Sequence, residues 1–218
     1  MRSIHEENYL KAIFHLQSEG AETVSTNAIA KALNVQAASV SDMVKKLAKR
    51  KWLIHRPYQG VQLSEEGKKI AGGIIRKHRL WETFLVEKLN FNWSQVHDIA
   101  EQLEHIESEL LTDRLFQFLG EPTHDPHGEP IPGKSGELPV QNYYQLDQID
   151  EGCEVEIVGV KEDSAEFLQY LNQLDLKLHA RIKVLYRQQL DNSLVLSNAN
   201  KEFNLSSRIA SSILVKEK

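Results

Sequence analysis

The sequence predicts a mainly α-helical fold that ends in a small β module, and three observations carry that prediction. Apolar residues recur with a helical period through most of the first 119 positions. Two short alternating runs around Tyr58-Gln59-Gly60 follow directly on a helical stretch, which marks a hairpin. From about Tyr144 the pattern changes to short strands separated by Gly- or Asn-rich turns. The expected organisation is a winged helix-turn-helix over 1–63, a helical domain over 64–120, a proline-rich linker over 121–143 and a β domain over 144–218.

Each element has its own signal. Tyr9, Leu10, Ile13, Phe14 and Leu16 give a first helix over His5–Gln17, with Glu6 and Glu7 in its first turn and Gly20 beyond its end. Ser25 or Thr26 can cap a short second helix, N-A-I-A-K-A-L. Asn34-Val35-Gln36 then connects tightly to a third, A-A-S-V-S-D-M-V-K-K-L-A-K-R, completing a helix-turn-helix. Small polar residues open that third helix and Lys45, Lys46, Lys49 and Arg50 close it, as expected if its start meets base edges and its flanks meet phosphates. The hairpin after a recognition helix is a wing. The surface expected to face double-stranded DNA is Thr26, Gln36, Ala38, Ser39, Ser41, Lys45, Arg56, Tyr58 and Gln59. A long helix from Ser64 carries Ile70, Ile74, Ile75, Leu80, Phe84, Leu85 and Leu89, more apolar surface than a winged helix can cover, and so offers a face for a second subunit.

The net charge of −5 hides an asymmetry. Residues 1–80 hold fourteen Lys and Arg against seven Asp and Glu, whereas the rest hold twelve against twenty-four. The first third suits a polyanion and the remainder suits cations. The single cysteine, Cys153, excludes an internal disulfide and a multi-cysteine metal site. No apolar run approaches the roughly 18 residues that span a bilayer, and the N-terminus lacks the apolar core of a signal peptide. A cytoplasmic protein with no membrane partner is expected.

Residues 76–109 carry the chemistry. If both halves are helical, His78 and Glu82 stand one turn apart on the first, and His97, Glu101, Glu104 and His105 share a face of the second. Val96, Ile99, Leu103, Ile106 and Leu110 then form its opposite, packing face. A single His or Glu on such a face is ordinarily solvated. Three imidazoles and three carboxylates at i, i+4 spacing are instead a common way to hold divalent ions. His124 and His127, in a stretch holding five of the six prolines, are read as solvated loop histidines. The β module, with strands expected at E-V-E-I-V-G-V, R-I-K-V-L-Y and S-L-V-L-S and a helix at S-A-E-F-L-Q-Y-L-N-Q-L, fits a small barrel. It shows no catalytic motif, so no enzyme and no small-molecule substrate are expected.

The motifs E-N-Y-L, K-H-R-L-W-E, V-H-D-I-A-E-Q-L-E-H and P-H-G-E-P-I-P-G, in this order and spacing, resemble the metal-dependent repressors of the diphtheria toxin repressor and manganese transport regulator type. The resemblance spans nearly the whole chain and likens the C-terminal part to an SH3-like, ferrous-transport-associated module. It implies a homodimeric repressor of metal-homeostasis genes that binds a palindromic operator when a divalent metal is present. It further implies an ancillary site from His78, Glu82 and His97, with Asp163 and Glu166 at the two positions supplied by the SH3-like module. The activating site would use Glu101, Glu104, His105 and Asn8, the last standing where iron-responsive members carry methionine and manganese-responsive members aspartate. Lys11 stands where some manganese regulators have a second acid. Oxygen and imidazole donors without sulfur favour Mn²⁺, then Fe²⁺, with Zn²⁺ or Co²⁺ able to substitute in vitro. Two rival readings remain: a winged-helix regulator that answers to a non-metal effector, and a metal-dependent hydrolase, which would leave the basic winged helix unexplained.

Overall fold

A computed structural model describes residues 2–18, 20, 22–56, 59–138, 143–162, 164–198 and 201–217. The chain divides into two compact units, Met1–His78 with Gln102–Glu109 and Ile131–Pro139, and Arg79–Glu101 with Leu110–Pro130 and Val140–Lys218.

The first unit is built on α1 (Ile4–Ser18), α2 (Thr26–Ala32), α3 (Ala37–Lys49) and the hairpin β1 (Leu53–Arg56) with β2 (Gly60–Leu63). Its core draws an apolar stripe from each element. Tyr9, Leu10 and Ile13 of α1 meet Ile29, the Val40, Val44 and Leu47 stripe of α3, and Leu53, Val61 and Leu63 of the hairpin. Ser25 caps α2 by accepting from the Ala28 amide, and Asn34 turns the chain into α3 in the left-handed region at φ 51°, which asparagine tolerates better than most residues. Paired backbone bonds of 2.8 Å join Val24 and Val61. Gly60 is required there, because its φ is +98° and a Cβ would meet the Val24 carbonyl oxygen at 2.8 Å.

Helix α4 (Glu65–Leu89) runs from the first unit into the second. The second unit adds a 3-10 turn at Trp93–Gln95, α5 (His97–Leu103), α6 (Glu109–Phe118) and the C-terminal module. That module is a six-stranded antiparallel sheet in the order β3-β8-β4-β5-β6-β7. Its strands are β3 (Tyr144–Gln145), β4 (Glu154–Val160), β5 (Arg181–Arg187), β6 (Leu194–Asn198), β7 (Lys201–Leu205) and β8 (Ile213–Glu217). Helix α7 (Ala165–Gln173), capped by Ser164, buries Phe167, Leu168 and Leu171 against them, and Trp93 joins this core. The short α8 (Ser207–Ala210) precedes β8. No helix among the described residues is long and apolar enough to cross a membrane.

Two expectations need correction. The second metal-site helix does not run on through His105: α5 ends at Leu103, with Glu104 and His105 in the following turn. Ile106 and Leu110 do not pack, and are 39% and 67% exposed. The reason is that Glu104 and His105 meet Lys11, His78 and Glu7 at 2.8, 2.6 and 2.6 Å in that turn, which compensates for the helical bonds forgone. The second correction is His127, which is buried rather than solvated. The Asp125 carboxylate accepts from the His127 and Glu129 amides at 2.8 and 2.9 Å, and the Val160 amide donates to the His127 carbonyl at 2.9 Å, so this part of the proline-rich segment is a folded loop. Gly128 lies against the Val158 carbonyl at φ +82°, where no side chain fits.

Candidate metal centres

The polar cluster of the first unit is centred on Glu104, which is fully buried. Both of its oxygens meet the Lys11 ammonium, at 2.8 and 3.0 Å, and one also meets His78 Nδ1 at 2.6 Å. His105 Nδ1 lies 2.6 Å from Glu7 Oε2, and its Nε2 lies 3.8 Å from Glu104 Oε1. Arg2 completes the Glu7 pair at 3.1 Å. Burial lowers the pKa of Lys77, whose ammonium is nonetheless favoured by Glu7, Glu104 and Glu107. Helix α1 thus reaches this cluster through Glu7 and Lys11, which are four residues apart and share a face. Asn8, between them in sequence, has a buried side-chain oxygen without a hydrogen-bond partner. Leaving such an atom unmet costs about 1–3 kcal/mol, so a missing electrophile fits there. Carboxylate, amide and imidazole donors suit a hard or borderline divalent ion.

The second unit holds a separate cluster. Glu82, Asp125 and His127 are all buried, and one donor atom from each lies within 4.8 Å of the others. His127 Nε2 donates to the Trp93 carbonyl at 2.9 Å. That bond leaves Nδ1 to face Glu82 Oε2, 3.5 Å away. The His127 and Trp93 rings stack at 6.0 Å. Burial works against a charged His127, yet the hydrogen bond to Glu82 and the charge of Asp125 outweigh it and raise the pKa to about 9. Asp125 is pushed up to about 7 by burial and by Glu82 and Glu129, against the pull of His127 and Arg79. Arg79, itself buried, bonds Glu129 Oε2 through Nε at 3.0 Å and the Pro130 carbonyl through Nη1, with Asp125 Oδ2 3.6 Å from Nε. His97 lies 3.7 Å from Glu82 Oε1 by Nδ1 and 3.7 Å from Glu101 Oε1 by Nε2.

The predicted residues therefore fall into two sets. His78, Glu104 and His105 come together in the first unit, with Asn8 on the α1 segment that reaches them, and Glu82, His97 and Glu101 come together in the second. Asp163 lies outside the described residues. Glu166, in the first turn of α7, is exposed and belongs to no group of described His, Cys or acidic residues close enough to hold an ion. Sequence reasoning missed Glu7 as the partner of His105, and Asp125 and His127 as neighbours of Glu82. The first was legible only as an acid four residues from Lys11, the second as D-P-H-G-E, an Asx turn that can bury its own side chains.

On the winged-helix surface Gln36 is the N-cap residue of α3 with no side-chain cap bond, and Gln36, Ala38, Ser39, Lys45, Arg56 and Gln59 are exposed. Thr26 is half-buried at the start of α2. Ser41 is half-buried and donates to the Ala37 carbonyl at 3.1 Å, turned back onto its own helix. Tyr58 lies outside the described residues. Lys46 and Arg50, both exposed, pair with the buried Glu6 at 3.1 and 3.4 Å. Burial would raise the Glu6 pKa, but the Ser3 amide and these two cations lower it.

Comparison with known proteins agrees with this architecture. Residues 2–61 match the model of the iron dependent repressor N-terminal DNA binding domain, 64–133 that of the iron dependent repressor metal binding and dimerisation domain, and 144–217 that of the FeoA domain. The chain is 35% identical to the iron-dependent repressor IdeR of Mycobacterium tuberculosis over 127 residues, 58% of this chain and 55% of that protein. The match thus spans about half the length of the mycobacterial relative. With the diphtheria toxin repressor of Corynebacterium glutamicum the identity is 31% over 169 residues, 77% of this chain and 72% of that one. Among solved structures, a manganese-dependent transcriptional repressor in complex with manganese superposes with a TM-score of 0.85 at 33% identity, covering 98% of this chain and 100% of the other. The three domains in this order and these likenesses place the chain in the diphtheria toxin repressor family of metal-dependent transcriptional repressors.

Proposed function

We propose that the protein is a divalent-metal-activated, homodimeric repressor that binds a palindromic operator, with Mn²⁺ as the favoured activator and Fe²⁺ next. The observation that carries the reading is that α1, part of the winged helix, reaches the fully buried Glu104 beside His105, while Asn8 on that helix keeps a buried oxygen unmet. A bound divalent ion would supply the positive charge that lets amide oxygen, carboxylate and imidazole share one centre. Asn8, Glu104 and His105 would hold it, with Glu101 added by the resemblance. Glu82 and His97 would belong to the ancillary set, with His78 added by the resemblance, and Asp125 and His127 flank Glu82 from the folded loop, whatever Asp163 and Glu166 contribute.

A ligand shared by α1 and the turn after α5 biases the winged helix by its differential affinity for two arrangements. About 3 kcal/mol of difference moves the population roughly a hundredfold. The donor set contains no sulfur, which supports manganese over softer metals, and the manganese-bound relative supports the same choice, while the mycobacterial relative is named for iron. Pairing of subunits is supported by Leu89, Leu110, Leu111 and Phe118, large apolar residues exposed in the second unit. The folded wing and α3, with Gln36, Ser39 and Lys45 outward, support major-groove readout.

The test is an electrophoretic shift of DNA upstream of the protein's own gene with chelator, with Mn²⁺ and with Fe²⁺ under anaerobic conditions. Retardation only with metal, and at lower concentration with Mn²⁺, is the expected result. Equal retardation in chelator removes the metal switch and leaves the non-metal effector reading.

A further inference from the structure

The Lys11–Glu104 pair is the least ordinary feature of the first cluster. A lysine on α1 places its ammonium 2.8 and 3.0 Å from the two oxygens of a carboxylate that has no exposure, and its own side chain is only 14% exposed. The groups that face this carboxylate are Lys11 from α1, His78 from α4 and His105 from the same turn. Of these, Lys11 alone is an ammonium, bonded to both carboxylate oxygens. The ammonium therefore does two things required of a bound ion: it neutralises Glu104, and it ties α1 to the turn after α5. A dication on Glu104 would repel an ammonium held at hydrogen-bond distance from the same carboxylate, and more strongly in a buried site than in water.

We propose that Lys11 is a built-in competitor for the metal, an internal cation that occupies Glu104 until a divalent ion displaces it and so sets the metal concentration at which the protein responds. This rests on the metal-activated reading above. The exchange replaces one bridge from α1 with another. The metal-free bridge leaves α1 at Lys11, whereas the metal-loaded one would leave it at Asn8, three residues or about 4.5 Å earlier along the helix. Lysine is a point charge on a flexible stem, so it can swing away from Glu104 more readily than an arginine fork could.

The test uses the full-length protein stripped with chelator, titrated with Mn²⁺ by calorimetry, and melted with and without Mn²⁺. Lys11→Met keeps the stem and removes the charge, Lys11→Gln does so with a polar end, and Lys11→Arg keeps the charge. The methionine and glutamine variants should each bind Mn²⁺ on the order of tenfold tighter than the parent, which corresponds to about 1.4 kcal/mol. Their metal-free forms should melt lower and their Mn²⁺-induced rise in melting temperature should be larger, while the arginine variant stays near the parent. A residue that merely props up the site would instead weaken Mn²⁺ binding when neutralised. Mn²⁺ binding in whichever neutral variant folds that is equal to or weaker than the parent's overturns the role of Lys11 alone. A parent that binds no Mn²⁺ overturns the metal-activated reading itself.

Discussion

The two polar clusters contain similar acids and imidazoles but neutralise them differently. In the first unit Glu104 is met by a lysine and by histidines, and the Asn8 amide oxygen on α1 has no hydrogen-bond partner. In the second, Arg79 spreads its guanidinium over Glu129, the Pro130 carbonyl and Asp125, and His127 is clamped by the Trp93 carbonyl and ring. A point charge on a flexible stem can be exchanged, whereas a planar fork satisfied by several acceptors holds its geometry. The first cluster is arranged to respond and the second to hold a loop in place. Its donors differ in reach too: Glu7, Asn8 and Lys11 sit on the helix whose apolar face packs in the core of the winged helix.

The contrast is most exposed at Arg79. Replacing it with Met strands Asp125 and Glu129 without their buried cation, and a loss of about 3–5 kcal/mol in urea-denaturation stability is expected. A loss under about 1 kcal/mol would mean that the second cluster is no firmer than the first. Glu104→Ala should raise the Mn²⁺ needed for DNA retardation by the folded protein roughly a hundredfold, the scale of a lost switch.

His127→Phe keeps the ring against Trp93 and removes its hydrogen bond and charge, so a cost of about 1–3 kcal/mol is expected. Its pH signature has a definite sign. The His127 pKa is raised from 6.5 to about 9, so its contribution is complete below 6.5 and is lost as pH rises through 9. Asp125, raised from 3.8 to about 7, acts in the same direction over its own lower window, since the folded state favours the neutral acid. In chelator, parent stability should therefore fall from pH 6.5 to 9 more steeply than that of the Phe variant, and parallel curves would contradict the assigned charge of the cluster.

The smallest effect concerns the DNA face. Lys45→Ala should weaken all sequences alike and reduce the salt slope of binding by about one unit, whereas Gln36→Ala should change sequence preference. An unchanged affinity and slope would remove Lys45 from the interface.

Most of the architecture was readable because periodicity and turn chemistry agree locally. Tyr9, Leu10 and Ile13 on α1 and the hairpin around Gly60 fell where the pattern put them, and Val40 and Val44 give α3 its buried stripe. The break after Leu103 was not readable, because E-Q-L-E-H-I-E continues a good helical pattern and only the distant partners Lys11, His78 and Glu7 draw Glu104 and His105 into a turn. Strands β3, β7 and β8 were missed for a related reason: short strands such as K-E-F-N-L carry little apolar alternation of their own and are set by their neighbours in the sheet. At the sites, residue types and helical spacing identified the acids and imidazoles on α4 and α5, but buried loop donors such as His127 have no periodic signal to betray them. Ser41 shows the converse, a residue of the right type whose hydroxyl is spent on its own helix.

The central claim is that a metal held partly by the first helix governs the DNA-binding half, and Asn8 tests it most directly. Operator binding is titrated against free Mn²⁺ for the parent, Asn8→Asp and Asn8→Ala. A carboxylate is a stronger ligand for Mn²⁺ than an amide oxygen, so Asp should shift activation to lower Mn²⁺ and Ala to higher, on the order of tenfold each way. Activation of the Ala variant at the same Mn²⁺ concentration as the parent would contradict the account, because the winged helix would then be governed without the Asn8 oxygen.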